Sequence, residues 1–181
     1  RPKLHDFVKG LEGSVIGFNK ANPDEPQLFL SRSEASEMLA CSEHAIMPLY
    51  VCKTCGQHYF ENYYCNLVTE KLNISGGQAE GDTIIWYPGD DNEGHRVLLT
   101  NQFVADDDSE LEFSKKSSKS INIYFCIECG TLQQDREDRC ANPKCKRLNS
   151  VIKLHLVPTN HEGKLDSCPS CNARGKSYGH N

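Results

Sequence analysis

A chain of 181 residues with ten cysteines and a formal charge of −5 has room for one domain or two small ones and for a core of modest size. The opening Arg1-Pro-Lys-Leu-His5 is polar and no apolar run is long enough for export or membrane crossing, so metal in a reducing, cytoplasmic setting explains so many thiols better than disulfides do. The negative balance argues against a free-standing domain that binds DNA by bulk charge. Two four-cysteine zinc sites, each setting four thiolates against a 2+ ion, would deepen it from −5 to about −9.

In chain order, residues 1–19 hold two short apolar runs separated by Gly10 and Gly13, consistent with a strand at Ser14–Phe18. His5, beside Phe7, reads as a packing residue. Asn22–Pro26 reads as a loop and Gln27–Leu30 as a short strand. Ser33–Ala40 is the one good helix candidate, with Ser31 or Ser33 as N-cap and acids in the first turn, where the helix dipole favours them. Cys41 and His44 follow at a ligand-like spacing, but no second pair is left to complete a site with them.

Met47–Cys52 feeds a first metal knuckle, Cys52-Lys-Thr-Cys55, with Gly56 behind it to take the turn that brings both sulfurs to one side. The aromatic run Gln57–Leu67 should be the strand that leaves this knuckle, with Cys65 a buried thiol within it. Asn73–Gly77 reads as a turn, Thr83–Tyr87 and His95–Thr100 as strands, and Pro88–Asn92 as the turn that joins those two into a hairpin. An acidic run (Asp106–Asp108, Glu110, Glu112) and a basic one (Lys115, Lys116, Lys119) then make a solvated loop over 104–120, whose lysines are candidate phosphate contacts.

The strongest signal is Cys126-Ile-Glu-Cys129-Gly130 followed by Cys140-Ala-Asn-Pro-Lys-Cys145, two close pairs at the spacing with which four thiolates surround one Zn²⁺. Ile121, Ile123 and Phe125 alternate with polar neighbours before it, and Val151–Val157 alternates after it, so that strand, knuckle, knuckle, strand spells a zinc ribbon. One pair remains, Cys168-Pro-Ser-Cys171. It is the only partner available to Cys52 and Cys55, and a site on these four would tie the two ends of the chain together around the inner ribbon. The expected fold is therefore mostly β, α+β with one short helix, a zinc-ribbon-containing module with two four-cysteine zinc sites. Segments 1–51, 52–125 and 126–181 are expected to form one compact unit.

Catalytic signals are nearly absent. Gly175-Lys176-Ser177 matches the end of a phosphate-binding loop, but Ser170 stands where its first glycine belongs, and neither His-Glu-x-x-His nor Gly-x-Ser-x-Gly occurs. Four cysteines close the coordination sphere of a zinc, which makes the expected metals structural and the segment not an enzyme. Lys144, Lys146 and Arg147 around the second inner knuckle, with Arg174 and Lys176, join the loop lysines as candidate nucleic-acid contacts.

Taken together, Arg1-Pro-Lys-Leu-His5, Gly10-Leu-Glu-Gly13 with Val15-Ile-Gly-Phe18, the knuckles at 52–56, 126–130 and 140–145, and Cys168-Pro-Ser-Cys-Asn-Ala-Arg-Gly175 resemble the zinc-binding insert of large prokaryotic DEAD/DEAH-box helicases. These include the helicases of anti-phage defence systems of the Druantia and DISARM type. The long acidic-then-basic middle departs from that pattern. The resemblance implies a superfamily 2 motor that hydrolyses ATP while moving on DNA, with this segment, cut from a longer chain, lying outside the two RecA-like lobes. Its implied role is accessory: positioning DNA, or docking to the motor domains of its own chain or to defence-system subunits.

Overall fold

The alternating run Ile121–Cys126 and the run Val151–Val157 pair antiparallel in full register, from Ile121 opposite Leu156 to Cys126 opposite Val151. A computed structural model, which describes residues 13–103 and 120–171, places this pair inside a larger sheet. Its strands are β1 (Val15–Asn19), β2 (Asn22–Phe29), β3 (Met47–Val51), β4 (His58–Tyr64), β7 (Gln78–Glu80), β8 (Thr83–Trp86), β9 (His95–Thr100), β10 (Ile121–Cys126), β11 (Leu132–Gln133) and β12 (Val151–Val157). They follow the order β2-β1-β3-β4-β9-β12-β10-β11-β8-β7, while β5 (Leu67–Glu70) and β6 (Asn73–Gly76) form a separate hairpin.

One face of the sheet carries Ile16 and Phe18 of β1, Phe60 and Tyr64 of β4, Val97 and Leu99 of β9, Ile123 and Phe125 of β10 and Leu154 and Leu156 of β12, all buried in one cluster. Phe18 meets Phe125 at 6.1 Å between ring centroids, although β3, β4, β9 and β12 lie between their strands. The sheet therefore curls around this core, as its right-handed twist allows. On the opposite face the described residues Tyr59, Leu98 and Val157 pack against Cys52, Cys168 and the other outer-cluster cysteines.

The helix α1 (Arg32–Leu39) lies one residue ahead of the expected Ser33–Ala40, and of the two expected caps it is Ser31 that serves as N-cap, its hydroxyl accepting from the Glu34 amide. Ala35 is fully buried against Val15, Phe29 and Ile46, and Leu39 packs beside it. Gly17 leaves the space for this, since a Cβ there would lie 2.4 Å from Leu39 Cδ1.

Three local expectations are corrected. Asn22–Pro26 is the first part of β2 and not a loop; β2 is an edge strand, and an edge tolerates Pro23 and Pro26 because their missing N–H groups need no partner. Asn73–Gly76 is a strand paired with β5, and the turn is Lys71-Leu72 just before it. Thr83–Trp86 and His95–Thr100 do not form a hairpin: β8 pairs with β7 and β11, β9 with β4 and β12. Each of these two strands satisfies its backbone against distant partners, which local alternation could not reveal. Cys65 follows β4 and is half-buried beside Gly89. Among the described residues no helix is long and apolar enough to cross a membrane.

Candidate metal centres

The two pairs followed by glycine are held by the same local geometry. Gly56, at φ +80°, donates its amide to Cys52 O at 2.8 Å, and Gly130, at φ +81°, donates to Cys126 O at 2.9 Å. In the Cys140–Cys145 knuckle the turn is made by Asn142, whose side-chain oxygen accepts from the Lys144 amide and whose carbonyl accepts from Cys145 and Lys146. Asn142 is itself pinned, donating to Thr131 Oγ1 at 2.9 Å.

The topology then joins the pairs. Cys126, Cys129, Cys140 and Cys145 converge at the end of β10, and Cys52, Cys55, Cys168 and Cys171 converge over β3 and β4; within each group the four Sγ atoms lie within 4.8 Å of one another. Across the clusters, Cys52–Cys171 is 3.7 Å, Cys55–Cys168 3.8 Å, Cys126–Cys145 3.9 Å and Cys129–Cys140 3.6 Å. A tetrahedron with Zn–S bonds of ~2.3 Å has S···S edges of about 3.8 Å, whereas a disulfide would be ~2.05 Å. The spacings fit metal and exclude sulfur–sulfur bonds. These are two four-cysteine clusters consistent with two Zn²⁺ sites, and with four thiolates each they leave no position open for substrate.

Within each cluster one sulfur is favoured as thiolate at the expense of its neighbours: Cys168 and Cys126 are lowered, while Cys55 and Cys140 are raised by their hydrogen bonds to the neighbouring cluster sulfurs and by burial. Cys168 is held down to about 5, chiefly by the Cys55 thiol hydrogen-bonded to its sulfur, with Tyr59 and the Ser170 and Cys171 amides acting in the same direction against burial. Tyr59 OH stands 3.0 Å from that sulfur. In the inner cluster Cys126 is pushed well below the ordinary thiol range by the Cys129 and Cys140 thiols, and Cys129 is raised to about 12 by its bond to Cys126. Thr131 Oγ1 lies 3.2 Å from Cys129 Sγ and Ser150 Oγ 3.4 Å from Cys126 Sγ. Sequence reasoning did not reach Tyr59, Thr131 and Ser150; only Thr131, directly behind the Cys126–Gly130 knuckle, carried a hint.

The segment that brings in Cys168 is fastened to the sheet by hydrogen bonds to Arg96, a residue that sequence reasoning also did not reach. Arg96 of β9 binds Glu61 of β4 at 2.6 Å, with both side chains mostly buried, and reaches Gly163 O. Thr159 donates to Arg96 O at 2.7 Å. Inner and N-terminal parts meet at a second clamp: Ser42 N donates to Glu128 O, Asn62 to His44 O, and Tyr64 OH to Gly130 O.

Cys41 and His44 take part in neither cluster. Cys41 is half-buried between two apolar clusters, its thiol raised by burial, and His44 serves through its backbone. Of the basic candidates, Lys144, Lys146 and Arg147 are exposed on the inner knuckle. Arg147 is 3.5 Å from Glu128, which also pairs with Lys20 at 3.0 Å. Lys115, Lys116, Lys119, Arg174 and Lys176, with His5, lie outside the described residues. No protein-family model, curated protein or solved structure matches this chain, which the structure describes as a mostly β, zinc-binding module with two clusters of four cysteines.

Proposed function

We propose that this chain is a structural zinc-binding accessory module of a DNA helicase or translocase, of the DEAD/DEAH-box kind its short motifs resemble, and that it positions DNA rather than reacting with it. The observation that carries this reading is the closure of both thiolate clusters: the metals shape a surface and have no coordination site to spare for chemistry. On that surface Lys144, Lys146 and Arg147 stand exposed on a turn whose backbone the inner metal fixes, so little conformational entropy is lost when they grip phosphate. A role in anti-phage defence and in a cytoplasmic motor follows the same resemblance, and the segment contributes no catalysis of its own.

Binding of labelled single- and double-stranded DNA to the zinc-loaded chain, titrated over salt, tests the reading. Replacing Lys144, Lys146 and Arg147 by Ala is expected to weaken binding several-fold, equally for every base sequence, and to flatten the salt dependence, because phosphate contacts position without specifying. An unchanged affinity rejects the inner knuckle as the phosphate contact. An ATPase assay on the chain alone is expected to be blank.

A protein-docking role is the second reading. The charge of −5, the neutralisation of Arg147 by Glu128 and the exposure of Leu148 beside the knuckle favour it. Absence of nucleic-acid binding at low salt selects it.

A further inference from the structure

Among the described residues, the second face of the sheet is capped at both flanks, with exposed positions between them. On one flank Tyr59, Leu98 and Val157 lie beneath the outer cluster, in contact with Cys52, Cys168 and Leu165. On the other flank Gln133 of β11 is fully buried under the chain leading to the inner knuckle: its Oε1 accepts from Ala141 N, and Asp135 N donates to Thr83 Oγ1 of β8. Between the flanks run β12 and β10, where register places Lys153 directly opposite Tyr124 and His155 opposite Asn122. Directly paired residues share a face, here the one away from the core that holds Ile123 and Leu154. Lys153 and Asn122 are exposed, and Tyr124 and His155 half-buried. Phe103 packs against the His155 ring at 5.3 Å, and His155 Nδ1 is buried without a hydrogen-bond partner.

We infer that this channel across β12 and β10 is a seat for a single strand of nucleic acid, with a base stacked on Tyr124, a phosphate on Lys153 and a second base against the Phe103–His155 edge. This rests on the DNA-positioning reading above and specifies its surface and the form of nucleic acid. The composition of the floor selects the occupant. Among the described residues it offers aromatic rings, a cation and an amide, and no carboxylate. An apolar peptide would find too little to bury there, whereas bases stack on such rings irrespective of sequence. A duplex hides its base faces and could not use Tyr124 at all. The rigidity of the walls matters too, since each is stapled by a metal cluster and the floor is hydrogen-bonded sheet.

Charge sets the kind of binding to expect. With the loaded chain near −9, long-range attraction is weak, and few phosphates are neutralised. Stacking should dominate, and the salt dependence should be shallow, about 0.7 log units of affinity per log unit of salt for each phosphate held.

The test is fluorescence anisotropy of the whole zinc-loaded chain with labelled 12-nucleotide single strands of DNA and RNA and a DNA duplex of equal length. Single strands are expected to bind at least tenfold more tightly than duplex. Tyr124→Ala should lose roughly tenfold on single strands, Tyr124→Phe less than twofold, and Lys153→Ala should lower the salt slope by about 0.7. Metal content and circular dichroism of each variant report folding, and Lys153→Glu, an exposed change that leaves the core untouched, repeats the test if Tyr124→Ala misfolds. If the wild-type chain binds and these variants bind equally well while the Lys144, Lys146 and Arg147 variant does not, the channel is refuted and the DNA-positioning reading stands. Equal affinity for duplex and single strand also refutes the channel. If the wild-type chain binds none of the probes, both fall.

Discussion

Individual side chains tune the metal clusters and the pH response. The Tyr59 hydroxyl can donate to the Cys168 sulfur from a buried position, which steadies the thiolate that zinc requires and orients it. Tyr59→Phe keeps the packing and removes the bond, so zinc affinity of the outer cluster should fall roughly tenfold. In a chelator competition one of two zinc equivalents should then leave early, and two unchanged equivalents would show the hydroxyl to be idle. His95 sets a different limit. Its Nε2 lies 3.3 Å from Thr69 Oγ1 and 3.2 Å from Thr159 Oγ1, and burial lowers its pKa from 6.5. The unfolded chain therefore takes up a proton that the folded chain refuses. Stability linked to His95 is full above about 6.5 and is lost as pH falls through the folded value. His95→Gln should show a smaller drop in denaturant midpoint between pH 7.5 and 5.5 than the parent chain.

At the level of elements, the β5–β6 hairpin carries local strain. Its two-residue turn is Lys71-Leu72, both at positive φ (41° and 70°), a geometry for which Asn-Gly is the favoured pair. The left-handed region costs a side chain such as leucine about 1–2 kcal/mol, and Leu72 also remains exposed. Replacing both residues with Asn-Gly should stabilise the chain by about 1 kcal/mol, visible as a rise of a few degrees in Tm. The opposite result is expected at Gly130. A Cβ there would sit 2.4 Å from His44 O in addition to the positive φ. Gly130→Ala must therefore push the inner knuckle off the 42–44 turn or distort it, a loss of about 2 kcal/mol or more. Thermal melts of the zinc-loaded variants measure both.

For the whole molecule, the two clusters have different mechanical duties. The inner one closes a short stretch of chain at the end of β10, whereas the outer one joins Cys55 to Cys168 across 113 residues. Metal binding to such sites contributes folding free energy directly, on the order of 10 kcal/mol each. Elemental analysis is expected to find two zinc ions per chain, and chelation should unfold it. Cys126→Ser should remove the ribbon around which β10, β11 and β12 are arranged and abolish cooperative folding. Cys168→Ser should release the segment after β12 and lower Tm while one zinc remains. Equal loss of both metals in Cys168→Ser would mean that the clusters fold as one unit.

Much of this was determined by sequence alone. The eight cysteines announce themselves because thiolate pairs need tight turns, and turns have local signatures in Gly56, Gly130 and Asn142; the pairing of Cys52 and Cys55 with Cys168 and Cys171 followed from there being no other pair. Strands β1, β10 and β12 and the Ser31 cap were legible for the same reason, each resting on alternation or on contacts within a few residues. Tertiary structure alone decided what depends on distant neighbours: that β8 and β9 part company, that Asn22–Pro26 can be an edge strand, that Arg96 holds the segment leading to the final knuckle through Gly163 and Thr159, and that Tyr59 faces a sulfur. It also decided that Tyr124 and Lys153 pair on the face away from the core, with Lys153 exposed, because which strands become neighbours, and in what register, is fixed by the rest of the chain.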